Sequence, residues 1–184
     1  MLGARVTVVD LSEGQLAADR RAAAHYGYDV TTLHIDMQDL SAIDDDAFDL
    51  VYATGMCYVP DLRKVYAGAA RVLRTGGRFR GDFGQPAVHF VDWDGQAYRI
   101  TKPYAERIDR REDGAMEFRH YLEDIFNGLL DAGFSIERVQ EPFCEQADPN
   151  APSGSWTHRQ SYVAEQFVIM ARKSSKPGST RRDE

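Results

Sequence analysis

The sequence predicts an α/β fold built on a doubly wound, mainly parallel sheet, and three features predict it. Short β-branched runs closed by an acid alternate with amphipathic stretches of helical period through the first half of the chain. Glycines stand where those helical patterns stop, at Gly27, Gly76 and Gly133. The composition, 43% hydrophobic and 28% charged over 184 residues, is that of a single globular domain with an apolar core. The domain is expected to span residues 1–173, with residues 174–184, rich in Ser, Gly, Pro and charge, as a disordered tail.

Residues 5–10 (RVTVVD) read as a buried parallel strand, followed by a helix that Ser12 and Gln15 open as a capping-box pair and Gly27 ends. A second strand is expected over 30–36 (VTTLHID), and a third over 48–54 (FDLVYAT) after the polar stretch 41–47. From Asp61, apolar residues at 62, 65, 66, 69, 72 and 73 follow helical spacing until Thr75-Gly76-Gly77, and residues 78–83 form a fourth strand candidate. Alternating residues on both sides of Asp94-Gly95 predict a β-hairpin insertion over 87–104. The mixed-charge run around Arg107, Asp109, Arg110, Arg111, Glu112 and Asp113 reads as a solvated loop. Leu122, Ile125, Phe126, Leu129 and Leu130 mark a further helix, residues 135–140 a strand, and residues 160–173 contain the last strand.

A net charge of -7, from 22 basic and 29 acidic residues, argues against binding to nucleic acid or anionic membrane. No stretch approaches the roughly 20 apolar residues of a membrane span, and the amino end lacks the pattern of a signal peptide. Cys57 and Cys144 are the only cysteines and have no metal-ligand spacing, so no metal and a reduced, cytoplasmic setting are expected.

In open α/β sheets, ligands collect at the carboxyl ends of the strands. Asp10 and Asp36 close two early strands and are placed to accept hydrogen bonds from a ribose diol and an exocyclic adenine amine. The alternative role for Asp10 is to cap the helix that Ser12 otherwise caps. An NAD(P)-dependent oxidoreductase would also use an acid at such a strand end.

The joint order VVDLS, an Asp36-Met37-Gln38-Asp39-Leu40 strand end, FDLVYATG and RVLRTGGRF resembles the class I S-adenosylmethionine-dependent methyltransferases, especially their small-molecule branch. The resemblance covers nearly all of residues 5–173 and implies a Rossmann-like sheet with an antiparallel last strand. It also implies S-adenosylmethionine as cofactor, with Asp10 on the ribose hydroxyls and Leu11 packed on the adenine. Asp36 would bond the adenine amine, the Met37 backbone the ring edge, and Ala53 and Thr54 would line the methionine portion. The sequence after RVLRTGGRF argues against the oxidoreductase.

Members of that family carry a first strand and a G-x-G-x-G loop before the VVD strand, whereas here Leu2, Gly3 and Ala4 directly precede Arg5. The family's first strand lies between those at 5–10 and 48–54. The expectation is therefore a domain incomplete at its amino end, with impaired cofactor binding unless, for example, strand exchange in a homodimer fills the gap. A non-catalytic, partner-binding remnant is the alternative.

Methyl transfer is an in-line displacement in which alignment and exclusion of water do most of the work. Tyr58, after the third strand, is expected nearest a substrate, and His89 and His120 are further catalytic candidates. His89, Trp93 and Tyr98 in the hairpin, with His120, are candidates for a lid, and Trp156 and His158 are further candidates for contact with substrate. The aromatic hairpin points to a small-molecule acceptor of apolar or mixed character.

Overall fold

The computed structural model describes residues 3–111, 114–141 and 146–174. The expected tail lies outside the described residues beyond Ser174, as does Cys144. The chain begins with a β-α-β unit: β1 (Val6–Asp10), α1 (Glu13–Tyr26) and β2 (Val30–His34). Ser12 caps α1, its hydroxyl accepting from the Gln15 N–H, and Gly27 closes it in the left-handed conformation at φ 70°. β1 and β2 run parallel in register, Val6 opposite Val30 through Asp10 opposite His34. The second strand ends two residues earlier than expected, because the Asp36 carboxylate draws the backbone N–H of Gln38 into an Asx turn.

The other large sheet has the order β3-β4-β10-β9. β3 (Phe48–Ala53) and β4 (Leu73–Gly84) are parallel, and β10 (Gln166–Lys173) is antiparallel to both β4 and β9 (Phe134–Gln140). The antiparallel last strand is thus present, starting at Gln166; the residues before it include the short helix α4 (Trp156–Arg159). β1 and β3 are not paired with each other, which leaves two sheets where one continuous sheet is the fold's norm.

α2 (Leu62–Val72) stops sooner than the pattern suggested, and Thr75-Gly76-Gly77 belongs to β4. Leu73 turns extended and is fully buried, its carbonyl accepting from Lys173 Nζ, so packing overrides the helical period. A Cβ on Gly77 would lie 2.8 Å from the Arg74 carbonyl oxygen, which leaves no room for a side chain where the strand bends.

The insertion is larger than one hairpin. Residues Pro86–Phe90 form a 3₁₀ turn, and β5 (Val91–Trp93) pairs with β6 (Tyr98–Ile100). The loop between them has four residues, since Asp94 Oδ1 accepts from the N–H of both Gln96 and Ala97. The mixed-charge run is not a plain loop: β7 (Ile108–Arg110) pairs with β8 (Met116–Phe118) in a second hairpin. Asp109 stands opposite Glu117, and each of these acids takes a cation, the buried Arg119 for Asp109 and Arg111 for Glu117. The main core lies between the four-stranded sheet and the helices α2 and α3 (Leu122–Asp131), with Tyr66, Leu73, Phe79, Leu129 and Ile169 fully buried.

Candidate functional site

The carboxyl ends of β1 and β2 lie side by side, since Asp10 is the register partner of His34. Asp10 Oδ1 accepts from the Ser12 N–H at 2.7 Å, so the carboxylate supports the start of α1. Leu11 follows with its side chain 64% exposed, and its carbonyl accepts from His34 Nε2 at 2.8 Å. An apolar side chain this exposed at a strand end suits stacking on a planar ligand. Asp36 is half-buried, and both of its oxygens are taken by Gln38: Oδ1 by the backbone N–H at 2.8 Å and Oδ2 by the side-chain amide at 3.0 Å. Met37 and Ala53 pack their side chains against the main core.

Thr54, at the end of β3, opens onto a cleft of about 270 Å³. Its other walls are Gly55, Met56 and Cys57 after β3, Asp82 to Gly84 at the end of β4, Glu165 and Gln166 where β10 begins, and Trp156 on α4. The sequence reading did not single out Glu165 or Cys57 as site residues, and it gave Asp82, at the end of a later strand, a lesser role than Asp10. An arginine stands beside each acid of this cleft, and Asp82 Oδ1 is buried there with no hydrogen-bond partner among the described residues. Asp82 faces Arg80 at 3.3 Å and accepts from the Tyr52 hydroxyl at 2.6 Å, a bond that holds the Tyr52 phenol above its ordinary pKa. Glu165 is gripped in a fork by Arg159, at 2.6 and 3.2 Å.

At the inner end of the cleft a hollow of about 10 Å³ shares Met56, Cys57, Phe83 and Gly84 with it, and is closed by His89, Phe118, His120 and Ile125. The three catalytic candidates separate here. Tyr58 is 55% exposed and lines neither space. His120 donates from Nε2 to the Val59 carbonyl at 2.8 Å, which ties it to the backbone. His89 makes no hydrogen bond through its ring among the described residues, and its Nε2 stands 3.3 Å from where a Cβ on Gly84 would be. Burial lowers the pKa of both imidazoles, and the Arg119 guanidinium adds to the effect at His89. Burial raises the Cys57 thiol and keeps it neutral.

Trp93, Tyr98 and His158 form one aromatic cluster, while the other two lid candidates, His89 and His120, line the hollow. The Tyr98 hydroxyl bonds His158 Nδ1 at 2.7 Å, and the ring of His158 packs edge-on against Trp93 and beside Tyr162. His158 is buried; Trp156, on the same short helix, reaches the cleft. No group of three or more His, Cys, Asp or Glu suited to a metal ion occurs among the described residues.

Residues 1–77 match the family described as methyltransferase domain. An uncharacterized methyltransferase of Bacillus subtilis is 34% identical over 154 residues, covering 76% of this chain and 60% of that protein. The sarcosine/dimethylglycine N-methyltransferase of Halorhodospira halochloris is 30% identical over 127 residues, covering 67% of this chain and 43% of that protein. The crystal structure of an S-adenosylmethionine-dependent methyltransferase from Mesorhizobium loti superposes with a TM-score of 0.75 at 24% identity, over 91% of this chain and 80% of that one. The chain belongs to the class I S-adenosylmethionine-dependent methyltransferase family, whose Rossmann-like fold it has. It spans about 60% of the length of the Bacillus relative.

Proposed function

We propose that the protein transfers a methyl group from S-adenosylmethionine to a small-molecule acceptor. The observation that carries this reading is the pair of acids at the adjoining carboxyl ends of β1 and β2, beside an exposed Leu11 and next in the fold order to a cleft opening at Thr54. Asp10 fits the ribose diol: Oδ1 already holds the helix cap, and no bond engages Oδ2 among the described residues. Asp36 fits the adenine amine by sharing an oxygen with Gln38, while the Met37 backbone meets the ring edge. Thr54 and the backbone at Ala53 border the methionine portion. The cofactor, when bound, supplies an electrophilic methyl group on a sulfonium. The chain's own task is to hold the acceptor in the cleft under Trp156 and keep water out. The relative from Halorhodospira, named for two small amino acids, supports a small acceptor for this chain. Cys57, a free thiol, supports a reduced compartment such as the cytoplasm.

Thermal unfolding with millimolar S-adenosylmethionine tests the cofactor reading. A competent site at 100 times its dissociation constant gains about 2.7 kcal/mol. A rise in Tm that saturates with cofactor is expected, and Asp10→Asn should reduce it; no rise refutes the cofactor reading.

A further inference from the structure

Resting on that reading for the role of the cleft, we propose that Tyr98 and His158 are positioning residues. Together they seat Trp156 as a wall of the acceptor cleft, and the β5–β6 hairpin is the buttress of that wall. The helix α4 is a single turn of four residues, Trp156–Arg159, too short to hold its shape without tertiary contacts. Helical spacing gives this turn two faces. Trp156 and Arg159, three positions apart, share one of them and turn to the cleft: Trp156 lines it, and Arg159 forks onto Glu165, another of its walls. His158 leaves from the other face and is buried against the rings of Trp93 and Tyr98 in the hairpin.

The attachment is specific. His158 Nδ1 accepts from the Tyr98 hydroxyl at 2.7 Å and from the Gly154 N–H at 3.3 Å, which places the imidazole proton on Nε2. Its ring stands edge-on to Trp93 with centroids 5.3 Å apart, and Tyr98 and Tyr162 lie beside it at 5.5 and 5.0 Å. The turn that leads into α4 meets the same tryptophan: Gly154 is left-handed at φ 80°, and a Cβ on it would lie 3.0 Å from the Trp93 side chain. Ser155 then caps α4, its hydroxyl accepting from the His158 N–H at 3.2 Å.

Trp156 is half exposed, so its place at the cleft is set by the backbone of α4 and not by burial of its own ring. That backbone is held to the hairpin through His158. Methyl transfer depends on a fixed acceptor and a dry cleft, and a wall that swings loses both. The hairpin therefore serves the reaction from behind the wall, without touching the acceptor.

The test reads the wall through Cys57, which lines the cleft and becomes the one thiol of the chain in a Cys144→Ser parent protein. Its alkylation by iodoacetamide is compared with its reaction with the bulkier dithiobis(nitrobenzoate). A change in thiol reactivity moves both rates alike, whereas a displaced wall favours the bulky probe. Tyr98→Phe, which removes one hydroxyl, and His158→Leu should each raise the ratio of bulky to small rates about 3–10-fold, the factor by which losing one ordinary hydrogen bond shifts an open–closed equilibrium. His158→Asn keeps an acceptor near the Nδ1 position and should restore the parent ratio to within about twofold. Trp156→Ala should raise the ratio by itself, and adding Tyr98→Phe to it should change the ratio less than about twofold, because the pair acts through Trp156. Where His158→Leu does not fold, Tyr98→Phe, which keeps the ring packing, decides. A ratio raised less than about threefold by Tyr98→Phe, an equal rise in both rates, or a Tyr98→Phe effect of full size in the Trp156→Ala protein would each overturn the proposal. Calorimetry with S-adenosylhomocysteine tests the cofactor reading separately. No binding by the unmodified protein overturns that reading, and with it the acceptor's place in the cleft, whatever the thiol rates show.

Discussion

Removing the Asp109 carboxylate should destabilise the protein more than removing the buried charge it serves. Arg119 is 3% exposed and carries a guanidinium whose Nη2 donates to Asp109 at 3.0 Å and whose Nη1 donates to the Glu106 carbonyl at 2.9 Å. Its Nε has no partner, and the Glu106 carboxylate is no nearer than 3.9 Å. Breaking a buried ion pair from one side typically costs about 3–5 kcal/mol, because a charge is left without compensation. Asp109 is one-third exposed and Glu106 can swing toward the vacancy, so Asp109→Ala should lie at or below the low end, about 2–3 kcal/mol. For a domain of this size that is a fall in Tm of about 4–12 °C. Arg119→Met removes the charge together with its desolvation and keeps most of the stem packing on Phe90, and should cost only about 1 kcal/mol. Urea unfolding of both variants decides, with slopes compared to confirm that the same surface is exposed. If Arg119→Met costs more than Asp109→Ala, the pair is a net source of stability and the orphan-charge argument is wrong. The sign with pH follows. Asp109 is held below the usual carboxylate range, first by its bond to Arg119, so its contribution is present above about pH 4 and is lost as pH falls through its folded pKa.

Three further outcomes are expected. Asp10→Asn keeps an acceptor for the Ser12 N–H and should leave stability within about 0.5 kcal/mol, while calorimetry with S-adenosylhomocysteine shows weaker binding by about 1.5–3 kcal/mol; Ser12→Ala should do the reverse, costing about 1 kcal/mol of stability with affinity kept. Gly128→Ala places a Cβ 2.7 Å from the buried Tyr66 ring, and the crowding of about 1–3 kcal/mol should outweigh the roughly 1 kcal/mol that alanine gains in a helix, giving a lower Tm. His89 and His120 have lowered pKa values, so the unfolded chain binds more protons below about pH 6.5; stability should fall as pH drops from 6.5 through the folded values, and the His89→Gln/His120→Gln pair should flatten that part of the curve.

The sequence was legible where one face of an element decides its fate. α2 and α3 bury a stripe at helical spacing, so their existence followed from period, whereas β10 buries Phe167, Val168 and Ile169 in succession and its start could only be bracketed. It was less legible where a tertiary bond overrides a local signal. Thr75-Gly76-Gly77 has the chemistry of a helix stop, yet Leu73 is already extended because Lys173, 100 residues on, binds its carbonyl. The second hairpin escaped because its strands are three residues long and carry charges on both faces, and the pairing that gives those charges meaning centres on Arg119, which lies outside the run.

The site divides along the same line. Asp10 and Asp36 could be placed at or just after strand ends from sequence, because acids closing β-branched runs mark where a parallel sheet meets its loops. The catalytic candidates could not be ranked that way, since Tyr58, His89 and His120 differ only in what their ring atoms already touch. Tyr58 lines neither the cleft nor the hollow, whereas His89 and His120 both line the hollow. The Nε2–H of His120 donates to the Val59 carbonyl, a contact 61 positions away in the chain that fixes its tautomer and leaves its lone pair on Nδ1. What each ring can do is thus set by folded contacts that the residue types do not announce.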